Sequence, residues 1–246
     1  MAAWRRSRAL AVAGLLAAFC IGVTQASAQT NVDVQLVLAV DASGSVSNER
    51  FILQQRGYSA AFRSPRLLEA IRGGATRAIA VTMTQWTGPL QQIQVVPWML
   101  VSDERSMHAV AEAIDGAERQ LFGGGTSISG AIDHALTLLS DTSFAGGRRV
   151  IDVSGDGSNN RGRPAEDARD EAVRQGVNIN GLPILSLEPG LDDYYRDYVI
   201  GGPGAFVIVA TSYESFADAV LKKLIIEISD NGTLSGTRTA MSSALD

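Results

Sequence analysis

Apolar residues fill positions 34–40 with a single interruption at Gln35, and the run stops at Asp41. Such a run predicts a strand buried on both faces. Ser47 then stands where a helix would be capped, with Glu49 in the first turn, so a helix is expected as far as Phe62. Ser64-Pro65 starts a shorter helix that Gly73-Gly74 closes. Positions 77–86 and 92–100 read as strands on either side of a Gly88-Pro89 turn, hence antiparallel neighbours. Met107, Val110, Ala111 and Ile114 recur at helical spacing, and so do Ile128, Ile132, Ala135, Leu136 and Leu139 beyond the glycine run 123–125. Further strands are expected at 149–154, 177–184 and 205–210. A polar helix at 165–175 separates the first two, and a closing helix carries Phe216, Ala219, Val220 and Leu224.

Strands alternating with helices predict an α/β fold: a doubly wound, mostly parallel six-stranded sheet with one antiparallel edge strand and helices on both faces. No internal repeat is visible. In open sheets of this kind ligands bind beyond the carboxyl ends of the strands. Asp41 ends one expected strand and Asp156 follows another.

The two ends of the chain change the picture of where it works. Arg5, Arg6 and Arg8 precede an apolar run over 9–23, and Ala26-Ser27-Ala28 is a small-x-small cleavage signal. Residues 1–28 therefore read as a secretory signal peptide, too short in its apolar part to span a bilayer. One domain is expected over 32–228, with a flexible tail at 229–246 rich in Ser, Thr and Gly. The expected location is outside the cytoplasm, periplasmic or extracellular, with no stable membrane insertion after cleavage. Cys20, the only cysteine, falls in the leader, so the mature fold has no disulfide to rely on.

Charge narrows the partners. Setting aside the three leader arginines, and no acid, takes the net charge from −5 to −8. An acidic chain of that kind is a poor match for nucleic acid or an anionic membrane, and it suits a divalent cation.

Chemistry gathers at the strand ends. Asp41, Ser43 and Ser45 follow the first strand around Gly44, Thr126 follows the glycine run, and Asp156 lies between Gly155 and Gly157. Two carboxylates and three hydroxyls, with no His or Cys near them in sequence, form an all-oxygen set. Such a set fits a hard cation, Mg2+, Mn2+ or Ca2+, better than zinc. With neutral hydroxyls among the ligands, a bound ion keeps positive charge and attracts an anionic oxygen from outside.

DASGS (41–45), GGGTSISGAI (123–132) and SGDGSNN (154–160) together resemble the metal-ion-dependent adhesion site of von Willebrand factor type A domains. The family pattern is Asp-x-Ser-x-Ser, a distant Thr, and an Asp-Gly after the fourth strand. The resemblance covers about residues 32–228 and assigns coordinating roles to Asp41, Ser43, Ser45, Thr126 and Asp156. More narrowly, IDVSGDGSNN, INGLPI (179–184) and YYRDYVIGGPGAF (194–206) are similar to an exported bacterial branch of that family with no assigned activity. The resemblance implies a von Willebrand A / Rossmann-like fold and a binding module whose metal bridges to a Glu or Asp of a partner protein. Gly155 departs from the pattern, since many members carry Thr before the aspartate.

An enzyme reading competes. Asp41 after a first strand and the later GDGSNN also resemble motifs of haloacid dehalogenase-type phosphatases, which use an aspartate nucleophile and Mg2+. That chemistry needs a second Asp two residues on and a lysine to steady the phosphoryl group. Position 43 is Ser, and Lys222 and Lys223 sit far past the last motif. No dinucleotide, Walker or GxSxG signature is present. His108 and His134 lack zinc-like spacing, and His134 is expected to be solvent-exposed. Trp86 and Trp98 are expected to pack in the core or at its edge. Asp152, inside a buried-looking strand, must find a partner, with Arg148, Arg149 or the site itself as candidates.

Overall fold

The computed structural model describes residues 29–229; the expected leader, and the expected tail from residue 230, lie outside the described residues. The sheet is built around β1 (Thr30–Asp41), which pairs in parallel with β2 (Ile79–Trp86) on one side and β4 (Phe144–Gly155) on the other. β3 (Gln92–Val101) lies antiparallel to β2 at one edge, and β5 (Asn178–Pro183) runs parallel to β4 at the other. The strand order is β3-β2-β1-β4-β5. β1 buries both faces because successive side chains point to opposite sides of the sheet. Val34, Leu36, Leu38 and Val40 enter one core, whereas Val37 and Ala39 enter the other.

The first core is covered by α1 (Asn48–Ala61), α2 (Pro65–Arg72), α3 (Glu104–Asp115) and α7 (Phe216–Ser229). The second is covered by α4 (Ile128–Ser140), α5 (Ala165–Arg174) and the short α6 (Leu191–Tyr194), which runs into a π-helical turn (Tyr195–Val199). Ser47 caps α1 as its position predicts, its hydroxyl accepting from Arg50 N. Trp86 is fully buried in the second core, and Trp98 packs at its edge with Nε1 donating to Leu138 O.

Among the described residues five strands form where six were expected. The segment that would be the sixth touches β5 only through isolated bridges, Val207 to Gly181 and Ala210 to Ile184. Two features prevent a continuous ladder. Pro183 has no N–H to contribute, and the approach to the segment bends through Gly202 and Gly204 at φ of 97° and 75°. His134 is also not solvated as expected. It is half-buried, its Nε2 has no partner among the described residues, and burial lowers its pKa. α4 packs against α5 and β3 as well as against the central strands.

The chain winds outward from β1 through β2 to β3, then resumes at β4 on the opposite side. The reversal leaves a crevice beyond the carboxyl ends of β1 and β4. Asp41 is the last residue of β1, and Asp156 directly follows β4.

A candidate metal centre at the strand ends

Asp41 is completely buried, and the turn after it folds back onto its carboxylate. Ser43 N donates to Asp41 Oδ1 at 2.7 Å, an Asx-type turn that a small polar residue makes from local bonds alone. The turn brings Ser43 Oγ and Ser45 Oγ to 3.1 Å. Ser43 is buried, while Gly44 and Ser45 are open to solvent. From α1, Gln54 Nε2 donates to Asp41 O and fixes the strand end from behind.

Asp156 comes in from the β4 side, also buried. Its Oδ1 accepts from Ser45 Oγ at 2.5 Å and its Oδ2 from Tyr213 OH at 2.8 Å. Its own N–H donates to Asp41 Oδ2 at a long 3.4 Å. Arg50 Nη1 is 3.8 Å from Asp156 Oδ2 and donates to Ser45 O at 3.0 Å, with its guanidinium over the Tyr213 ring.

Thr126 reaches the same place from the third loop. The three preceding glycines all have φ between 73° and 85°, a left-handed curve unsuited to L side chains. The curve lets the backbone pass close to the first loop: a Cβ on Gly44 would stand 3.6 Å from Gly123 Cα. Thr126 N donates to Asn160 Oδ1, and Thr126 O accepts from Asn160 N, so the loop is bolted to the segment after Asp156. Its hydroxyl faces Gly157, where an added Cβ would lie 3.8 Å from Thr126 Oγ1 and 3.7 Å from Glu188 Oε2. Asn159 Oδ1 accepts from Ser129 N in the first turn of α4. The two asparagines of SGDGSNN thus join the Thr126 loop to the Asp156 loop.

Asp41, Ser43, Ser45 and Asp156 form one continuous chain of contacts, and Thr126 lies alongside at Gly157. Two buried carboxylates in such proximity are costly. Burial pushes the Asp41 pKa up to about 7, with the charge of Asp156 adding to the rise and the Ser43 hydrogen bonds opposing it. A divalent cation is the species that would relieve this repulsion, and the donor set fits one. Ser45 gives its hydrogen to Asp156 and can accept one from Ser43, which leaves it a lone pair for a metal. Among the described residues no three His, Cys, Asp or Glu side chains gather in one place, so a metal here needs the hydroxyls.

Several residues that shape the site carry no sequence signal. Arg119 Nη2 donates to the carbonyls of Ala42 and Ser43 at 2.9 and 3.2 Å, and its Nη1 donates to Asn48 Oδ1. Its guanidinium packs over the rings of Phe51 and Phe122. Arg119 and Tyr213 both lie in irregular stretches with no periodicity to mark them. Gly155 is explained by its surroundings. A Cβ there would stand 2.9 Å from Asp41 Oδ2 and 3.1 Å from Tyr195 Oη, so the buried phenol takes the space that a Thr side chain would need. Asp152 does not pair with Arg148, Arg149 or the site. Its partner is Lys223 of α7, whose Nζ lies 2.6 Å from Asp152 Oδ1, because Asp152 faces the core that α7 covers.

The family described as "Protein of unknown function (DUF1194)" matches residues 31–232. No curated protein matches this sequence. Among solved structures, proximal thread matrix protein 1 from the mussel byssus superposes with a TM-score of 0.61 at 14% identity, over 82% of this chain and 49% of that one. The same mussel protein with a zinc-occupied MIDAS motif gives 0.55 at 13%, over 81% and 46%. A von Willebrand factor type A protein from Catenulispora acidiphila gives 0.55 at 16%, over 80% and 43%. The chain spans about half the length of these proteins or less. The fold is that of a von Willebrand A domain.

Proposed function

We infer the function from the site, because the chain belongs to the family described as "Protein of unknown function (DUF1194)", a description that assigns no activity. The protein is a metal-dependent, adhesion-type binding module. Asp41, Ser43, Ser45, Thr126 and Asp156 hold Mg2+, with Mn2+ or Ca2+ as substitutes, and the ion is offered to a Glu or Asp of a partner protein. It works outside the cytoplasm, in the periplasm or extracellularly. Among the described residues no helix is long and apolar enough to cross a membrane.

One observation carries this reading: two buried carboxylates from separate strands converge beneath an exposed serine and glycine. Asp156 is already engaged by Ser45, Tyr213 and Arg50. It would therefore help to hold the ion indirectly, through the Ser45 oxygen, with Asp41 as the carboxylate among neutral hydroxyls. A cation held this way keeps charge for an incoming carboxylate. The zinc-occupied motif of the mussel protein supports a divalent ion at this place in the fold. The phosphatase reading finds no support in the lysines: Lys223 is buried against Asp152 and Glu227, and Lys222 is exposed beside it on α7.

Thermal unfolding with and without Mg2+ tests the site. Mg2+ should raise the Tm of the wild type and leave Asp41→Ala unmoved; an equal shift in both would overturn the assignment. Capture of envelope proteins on the immobilised wild type tests the partner. Binding should need Mg2+ and be lost with chelator, and an identical set retained under both conditions would overturn it.

A further inference from the structure

The most unusual chemistry outside the metal centre lies between β4 and α7. Lys223, Asp152 and Glu227 are 0%, 0% and 1% exposed. Lys223 Nζ is 2.6 Å from Asp152 Oδ1 and 2.6 Å from Glu227 Oε1. The Glu227 contact is an aligned hydrogen bond, whereas the equally short Asp152 contact is not. Glu227 Oε1 also accepts from Asn180 Nδ2 at 2.9 Å, and Asn180 Oδ1 in turn accepts from Phe206 N. The Lys223 amine lies 5.5 Å from the centre of the Phe206 ring. Asp152 Oδ2 and Glu227 Oε2 have no hydrogen-bond partner among the described residues.

As an ion cluster this is expensive. Two carboxylates share one amine in the buried interior, and buried pairs of this kind seldom repay their desolvation. Burial favours the acid form of Asp152, raising its pKa to about 7 against the pull of Lys223. An amine and a carboxylic acid held in contact, out of reach of bulk solvent, beside a second carboxylate that can carry a proton, are set up to condense.

We propose that Lys223 and Asp152 join in an intramolecular isopeptide bond, with Glu227 moving the proton. Transfer of one proton from Nζ to Asp152 gives a neutral amine and a neutral acid. Nζ attacks Cγ of Asp152, which the short Oδ1 contact places at roughly the 3–3.5 Å separation of a near-attack pair. A second Nζ proton passes through Glu227 to the departing hydroxyl. The Nζ–Cγ bond forms, one Cγ–O bond breaks and one water leaves; nothing is oxidised or reduced. The product removes both charges from the core and ties the closing helix covalently to a central strand. No disulfide can do this, since the single cysteine is Cys20. The inference does not depend on the metal reading.

Mass spectrometry of the denatured full chain tests it. The wild type should weigh one water less than its sequence requires. Trypsin should release a branched peptide in which residues 150–161 hang from the Lys223 amine. Glu227→Gln should keep the native circular dichroism and the full mass, after correction for the substitution. Wild-type protein that is folded, at full mass and yields the two peptides unlinked would overturn the proposal. A Lys223 linkage to Glu227 instead of Asp152 would overturn the assignment of roles, as would a water lost equally from Glu227→Gln.

Discussion

Ser45 Oγ donates to Asp156 Oδ1 at 2.5 Å across 111 residues of sequence, joining the loop after β1 to the loop after β4. The contact spans the crevice where the winding of the sheet reverses. The site's cost is a pair of buried carboxylates, and that cost makes several properties of the protein measurable.

Metal-free stability should fall as pH rises. The Asp41 pKa moves from 3.8 to about 7 on folding, so the folded protein retains a proton that the unfolded chain releases. Stability from this group is complete below the unfolded pKa and lost as pH passes through the folded one. In chelator, the wild type should lose up to about 4 kcal/mol relative to Asp41→Asn across that window. Whatever Asp152 contributes is common to both proteins and cancels. Urea midpoints over a pH series would show it; parallel curves would contradict the Asp41 environment described here.

Arg119→Ala should weaken Mg2+ binding about tenfold without touching a ligand, the size expected when a group supporting ligand geometry is lost. The guanidinium clasps the Ala42 and Ser43 carbonyls while packing against Phe51 and Phe122. Arg119→Lys should recover little, because an ammonium lacks the fork. Calorimetric titration of Mg2+ into each variant decides the point.

Gly155→Ala should destabilise the protein by about 1–3 kcal/mol, the usual cost of overpacking, and lower metal affinity as well. The new methyl would press on Asp41 Oδ2 and Tyr195 Oη. Adding Tyr195→Phe should restore part of the loss by removing one of the two crowded atoms. Thermal melts of the single and double variants measure it, and no recovery would mean that the phenol does not fill this space.

No phosphate-ester turnover is expected from the wild type in Mg2+. Hydrolysis of a generic ester that disappears in Asp41→Asn would instead support the nucleophilic role of Asp41.

Much of this arrangement was legible in the chain. The apolar run ending at Asp41, the Ser47 cap, the Gly88-Pro89 turn and the spacing of Met107 to Ile114 each depend on near neighbours, and each appears where it was expected. The loops bearing Asp41, Ser43, Ser45 and Asp156 were likewise marked by glycines and strand ends, and the Thr126 loop by its glycine run before a helix. The sixth strand failed because Pro183 and the Gly202–Gly204 bend weigh on pairing more than hydrophobicity does. What the sequence hid were partners. Arg119 holds a carbonyl 76 residues away, Tyr213 reaches Asp156 across 57, and Lys223 answers Asp152 from the far end of the chain. Periodicity and capping are written in local spacing, so sequence alone determined the elements and their order. Which polar groups meet inside is decided when helices dock on the sheet. There each buried charge must pair with whatever the packed neighbour presents, and only the tertiary structure fixes that neighbour.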